Sequence, residues 1–164
     1  MSAPRPARLD ARALRDLVLD AGSWKSWDSP VQRGEVTDAY ASELAAAAEK
    51  SRQDESIITG EGTLRGRRVA VVAGEFGFLA GSIGVAAAER LITAVERATD
   101  EGLPLLAAPL SGGTRMQEGT VAFLQMIGIT AAIARQRRPG CPTSSTCATR
   151  RSAACSRRGG RRGT

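Results

Sequence analysis

Two short segments carry residue types whose spacing suits the handling of an anion. Residues 103–119 read L-P-L-L-A-A-P-L-S-G-G-T-R-M-Q-E-G: an apolar run, a Ser-Gly-Gly turn, Arg115, and then from Val121 a long apolar stretch of helical character. A buried strand that empties through glycines into a helix start can turn backbone N–H groups toward a ligand, and the helix start adds partial positive charge. Taken alone, a Gly-Gly pair equally describes a tight strand-to-helix connection. Residues 76–84, F-G-F-L-A-G-S-I-G, form a second glycine-rich junction of the same kind. Histidine is absent from the sequence, so neither a histidine-based triad nor a histidine metal site is available in it.

Turns of this kind need strands before them and helices after them. Residues 56–76 predict two strands with a hairpin turn near Arg65-Gly66. Residues 69–73 are continuously apolar, as in a strand covered on both faces. The helix after the first turn places Val85, Ala88, Leu91, Ile92, Val95 and Ala98 on one face, Asp100-Glu101-Gly102 ends it, and Leu103 opens the next strand. The helix after the second turn, from about Gly119 to Arg135, is apolar nearly all round (Val121, Phe123, Leu124, Met126, Ile127, Ile129, Ile133), which implies burial between layers or against another chain. Arg135, Arg137 and Arg138 suit the negative end of its dipole, and Pro139-Gly140 stops it. The order is therefore two strands, glycine turn, helix, strand, glycine turn, helix, with another strand as the natural continuation. Upstream, residues 1–10 read as a frayed start and 11–19 as a short amphipathic helix with Leu14, Leu17 and Val18 on one face. Trp24 and Trp27 read as anchors that pack this arm on a larger body, and residues 37–50 as a helix with Tyr40 and Leu44 four apart.

At 164 residues the chain suits one domain or part of a larger one. It has no run of 18 apolar residues and no signal-like apolar block at its start, so a soluble, cytoplasmic protein with no membrane role is expected. The net charge of +6 is unevenly placed. Six arginines lie after Gly140 (Arg150, Arg151, Arg157, Arg158, Arg161, Arg162), all 17 acidic residues lie before it, and the body is neutral. Cys141, Cys147 and Cys155 also lie after it. Three regions follow: an N-terminal helical arm (1–55), an α/β core (56–140) and a disordered basic tail (141–164). The plain reading of that tail is a solvated basic segment for nucleic acid or an anionic surface. The genetic code offers another. With one base restored before Cys141, the codons permit L-P-Y-L-V-Y-L-R-H-P-T-V-G-G-V-L-A-S-W-G-S-S-G-H, which supplies both the missing strand and a further Gly-Gly turn. The tail is then a frameshift product whose charge says nothing about partners.

G-E-G-T-L-R-G-R-R-V-A-V-V (60–72), F-G-F-L-A-G-S-I-G (76–84) and S-G-G-T-R-M-Q-E-G (111–119) resemble the carboxyltransferase beta subunit of bacterial acetyl-CoA carboxylase and related acyl-CoA carboxylases. The resemblance covers roughly residues 22–140. No cysteine precedes Cys141, so the four-cysteine zinc ribbon of many such subunits is missing, as in forms that lack it, including beta/alpha fusions. The resemblance implies an incomplete crotonase-like ββα superhelix of the α/β class, and transfer of a carboxyl group from carboxybiotin to acetyl-CoA or another short acyl-CoA in fatty-acid synthesis. It implies biotin on a carrier protein as the cofactor, acyl-CoA as substrate and no metal in this chain. Its implied partners are a carboxyltransferase alpha half, the biotin carboxyl carrier protein and further copies in a homo-oligomer, with no nucleic acid. By similarity Gly112 and Gly113 are the catalytic positions, while Ala80, Gly81, Ser82 and Arg115 bind CoA. Arg115 suits a CoA phosphate or, equally, an ion pair with Glu118 at i+3. Glu118 is given a structural role. Rival readings are a crotonase-fold hydratase or isomerase, which needs acids such as Glu75 or Glu118 beside its oxyanion hole, and a binding protein with a nucleic-acid-interacting tail.

Overall fold

The computed structural model describes residues 9–137 and the backbone of Thr143–Ser145. Its centre is a hairpin of β2 (Ile57–Leu64) and β3 (Arg67–Gly74), paired antiparallel from Ile57↔Gly74 to Leu64↔Arg67. The loop is Arg65-Gly66 with φ of 52° and 75°. Two left-handed residues in succession give the two-residue turn whose twist matches that of the strands. The Asp20 carboxylate accepts from both loop N–H groups, at 3.0 and 2.8 Å, so the N-terminal arm helps to close the turn.

The remaining strands build outward from this hairpin. β1 (Lys25–Ser26) pairs antiparallel with β2, and β4 (Leu105–Ala108) pairs parallel with β3, in a five-stranded sheet that ends in β5 (Thr143–Ser145) and is ordered β1-β2-β3-β4-β5. Alternation along β3 sends Ala70 and Val72 to one face and Val69, Val71 and Ala73 to the other. The first face lies under α3 (Val85–Asp100) and α4 (Gly119–Gln136), against Ala87, Ala94, Val95, Ala98 and Ala132. The second receives Ala11 and Leu14 of α1 (Ala11–Val18), with Leu19 and Trp24 beyond them. Both faces being covered accounts for the unbroken apolar run of residues 69–73. Each buried valine there contributes about 1.5–3 kcal/mol.

The arm does more than pack as helices. It lends the sheet its edge strand β1, and α2 (Asp38–Ser51) sets Tyr40, Leu44 and Ala47 on Phe78, in the first glycine turn. Thr37 caps α2 by accepting from the Tyr40 N–H. The Trp27 ring lies 4.4 Å beneath the Arg97 guanidinium on α3, which fixes the arm to the body as its aromatic content suggested.

One expectation needs correction. Composition reads the basic segment 141–164 as a disordered tail, yet β5 (Thr143–Ser145) pairs parallel with β4 from Leu105↔Thr143 to Ala107↔Ser145. The outer edge of β4 offers unpaired N–H and C=O groups, and a ladder is made by main chain whatever side chains the incoming segment carries. The other residues of 141–164 lie outside the described residues.

Candidate functional site

β3 ends in the first glycine turn, where Leu79, Ala80 and Gly81 take φ of 42°, 55° and 68°. Left-handed backbone costs roughly 1–2 kcal/mol at a residue with a Cβ, so Leu79 and Ala80 are strained. Their surroundings impose the conformation. Phe78 is fully buried, with the Arg33 and Arg115 guanidinium groups 6.0 and 5.4 Å from its ring. The Gly81 N–H donates to the Phe78 carbonyl at 2.8 Å and the Ser82 N–H to the Leu79 carbonyl at 3.1 Å. A Cβ on Gly81 would stand 2.5 Å from the Leu110 carbonyl oxygen, so only glycine lets this turn rest on the end of the β4 segment.

The second turn, 111–113, follows β4. Ser111 Oγ accepts from the Gly113 N–H at 3.0 Å, and a Cβ on Gly112 would meet the Ala80 carbonyl oxygen at 2.7 Å. Main chain also joins the two turns. The Ile83 N–H donates to the Gly113 carbonyl at 2.8 Å and the Arg115 N–H to the Ile83 carbonyl at 2.9 Å, an isolated parallel bridge between Ile83 and Thr114. Gly112, Gly113 and Ala80 are therefore gathered on one exposed surface, with Ser82 half-buried and Gly81 buried beside them. This surface lies beyond the carboxyl ends of the parallel strands β3 and β4, where open α/β sheets bind ligands. The N–H groups of Gly81, Ser82 and Gly113 are engaged within the turns. Those of Ala80 and Gly112 carry no hydrogen bond among the described residues.

Arg115 lies beneath the turns rather than in them. It is 0% exposed, so its guanidinium presents no face to a phosphate on that surface. It donates to both oxygens of Glu55, to Glu118 Oε1 at 3.2 Å and to the Ser82 carbonyl at 2.7 Å. The ion pair with Glu118 at i+3 is formed. The larger partner, Glu55, stands 60 positions earlier with no spacing to reveal it. Burial works to raise the Glu55 carboxyl and to lower the Arg115 guanidinium. Their mutual hydrogen bonds and charge outweigh it, holding Glu55 below and Arg115 above their ordinary values.

Tyr40 and Glu118 complete this layer. The Tyr40 hydroxyl donates to Glu118 Oε1 at 2.5 Å, and Glu118 Oε2 accepts from the Val85 N–H at 2.5 Å. The α3 N-cap is Gly84, which has no side chain to cap with, so Glu118 serves the first N–H of the helix in its place. Burial and then the Glu118 bond push the Tyr40 hydroxyl up to about 12. Glu75 is likewise spent on backbone, accepting from Ala11 at 2.9 Å and Gly77 at 2.6 Å. The two carboxylates that a hydratase would need are thus both engaged in holding main chain. Tyr40, Glu55 and Ser56 escaped sequence reasoning. Their only signal is polarity just before an apolar strand (Glu55, Ser56) or on an apolar helix face (Tyr40).

Among the described residues no group of three or more His, Cys, Asp or Glu is placed to hold a metal ion, and no helix is long and apolar enough to cross a membrane.

The carboxyl transferase domain family matches residues 7–155. The chain is 65% identical over 127 residues to the probable biotin-dependent acyl-coenzyme A carboxylase beta3 subunit of Mycobacterium tuberculosis, covering 77% of this chain and 26% of that one. It is 35% identical over 135 residues to the acetyl-coenzyme A carboxylase carboxyl transferase subunit beta of Clostridium novyi, covering 81% and 47%. Its fold matches transcarboxylase 12S, a hexamer assembly solved with methylmalonyl-coenzyme A and methylmalonic acid bound, at a TM-score of 0.63 and 25% identity over 78% of this chain and 23% of that one. A Pseudomonas malonate decarboxylase hetero-tetramer in complex with malonate matches at 0.60 and 26% identity, over 84% and 49%. The chain spans about a quarter of the length of the first of these relatives and about half that of the second.

Proposed function

The chain belongs to the carboxyl transferase domain family, and from that premise we propose that it is the acyl-CoA-binding part of a carboxyltransferase acting on acetyl-CoA or another short acyl-CoA. The observation that carries the reading is the edge-to-edge junction of the two glycine turns through Ile83 and Thr114. Carboxylation of a thioester at its α-carbon passes through an enolate, whose negative charge gathers on the thioester oxygen. Fixed N–H donors stabilise that charge best when they need not reorganise. The exposed turn residues Gly112 and Gly113 are assigned to the thioester, with the unengaged Gly112 N–H as one donor. Ala80, Gly81 and Ser82 are assigned to the CoA chain beside it. Arg115 is assigned to positioning and not to phosphate binding, because it is buried.

Carboxybiotin, delivered on a biotin carboxyl carrier protein, is the second substrate and supplies the carboxyl group. The described turns suit a thioester, which accepts hydrogen bonds. The biotin side is assigned to a carboxyltransferase alpha half, and the working enzyme to an oligomer of these parts in the cytoplasm, with no nucleic-acid or membrane partner. The reading takes 141–164 as the product of a shifted frame, which removes the second Gly-Gly turn. On that account the chain alone lacks the geometry that brings two substrates together, a large share of the rate in such reactions.

A hydratase or isomerase reading loses its support because Glu75 and Glu118 are occupied. Calorimetric titration of the chain with acetyl-CoA tests the proposal, alongside an assay for malonyl-CoA formed with free carboxybiotin as the carboxyl donor. Binding that is lost in Gly112→Val supports the site, and absence of binding overturns it. Malonyl-CoA formed by the chain alone would refute the division of labour.

A further inference from the structure

The polar layer under the two turns is a weak source of stability. Arg115 and Glu55 are both 0% exposed, and burying an ion pair commonly costs as much in desolvation as it returns in attraction. What the layer does is join four separate parts of the chain. Arg115 and Glu118 come from the segment after the second turn, Glu55 and Ser56 from just before β2, Tyr40 from α2, and Ser82 from the first turn. Ser82 is held three ways: its carbonyl accepts from Arg115 Nη2 at 2.7 Å and Ser56 Oγ at 2.7 Å, and its Oγ from Arg115 Nε at 3.3 Å. Glu118 meanwhile holds Val85 at the start of α3, and Tyr40 holds Glu118. Gly84 leaves the room this needs, since a Cβ there would meet Glu118 Oε1 and stand 2.7 Å from Arg115 Nη1.

We propose that Tyr40, Glu55 and Glu118 are positioning residues for the acyl-CoA site, acting through Arg115 to fix the 78–82 turn against the 111–113 turn. The proposal rests on the acyl-CoA reading above. It adds that a helix of the N-terminal arm, which carries none of the residues assigned to the ligand, sets the spacing of the donors. A guanidinium is suited to the task because its planar fork can hold Glu55, Glu118 and the Ser82 carbonyl at once, whereas an ammonium cannot keep that geometry.

The test uses the whole chain with two substitutions, Tyr40→Phe and Arg115→Lys, and two measurements. The first is hydrogen–deuterium exchange of peptides covering 76–84 and 109–116, with the 61–72 hairpin as internal reference. The second is titration with acetyl-CoA. Positioning predicts roughly tenfold faster exchange in the two turn peptides with the hairpin unchanged, since one charge-assisted hydrogen bond is lost. It also predicts acetyl-CoA binding weakened by a similar factor. A role confined to general stability would speed all peptides together, and that result overturns the proposal. So would unchanged turn peptides in both variants. If Arg115→Lys fails to fold, Tyr40→Phe, which removes only a hydroxyl, decides alone. Turn peptides that loosen while the unsubstituted chain binds no acetyl-CoA uphold the coupling of the turns and refute the acyl-CoA reading. Failure of one idea is thereby separated from failure of the other.

Discussion

The Glu75 carboxylate, just beyond β3, accepts from the backbone N–H of Ala11, the first residue of α1, across 2.9 Å in a buried setting. It accepts from the Gly77 N–H as well, so one side chain fastens both the arm and the first turn. Glu75→Ala leaves two backbone donors without their partner, each costing about 1–3 kcal/mol. The expected result is destabilisation of roughly 2–4 kcal/mol in urea unfolding, with α1 exchanging early. A loss below about 0.5 kcal/mol, the scatter expected of surface substitutions, would contradict this accounting.

Glu55 gives the fold a dependence on acid. Its carboxyl is held below the ordinary value of 4.5 in the folded chain, mainly by Arg115 against the opposing effect of burial. A group depressed in this way contributes stability above its unfolded value and loses it as pH falls through the folded one. The melting temperature should therefore drop as the buffer is taken from pH 5 downward, and Glu55→Gln should flatten that slope. Equal slopes in the two proteins would rule out Glu55 as its source.

Tyr40 is the only tyrosine in the sequence, so tyrosinate absorbance reports on it alone. In the folded chain the hydroxyl should ionise near 12, against 10.0 for an unperturbed phenol, because burial and the Glu118 carboxylate both oppose a second negative charge. A raised value contributes stability that is whole below 10.0 and disappears as pH rises through about 12. Titration in denaturant should return to the ordinary value. A native midpoint there would mean that the contact with Glu118 is not made.

Met116, Val121, Phe123, Leu124 and Ile127 form an exposed apolar surface along α4 and the turn before it. Patches of that kind favour aggregation or association. We expect poor solubility of the isolated chain, improved by Ile127→Lys. A freely soluble, monodisperse parent protein would argue against it.

The coding DNA around Gly140 decides the frame. The expectation is that the alternative frame continues into a Gly-Gly turn followed by an apolar helix. A verified present frame, closed by a stop after Thr164 and with no such reading in the others, would end the frameshift account.

Much of the fold was legible in the sequence because it depends on local chemistry. Arg65-Gly66 announces the hairpin, the Tyr40–Leu44 pair announces α2, and glycines mark both turns. The buried partner of Arg115 was not legible, since Glu55 is remote in sequence. The strand at Thr143–Ser145 was missed for a different reason. Its pairing is with the main chain of β4, and nothing in the sequence of the segment records that.

The contacts of Gly112 with the Ala80 carbonyl and of Gly81 with the Leu110 carbonyl have a consequence for how such a surface changes over generations. Its floor is built of atoms common to every residue, so exposed neighbours such as Met116 are free to drift while a single added methyl at 81 or 112 has nowhere to go. A saturation library should divide sharply at these positions, with tolerance on one side and nearly complete intolerance on the other. What this surface demands is a pattern of missing side chains, more than any particular side chains around it.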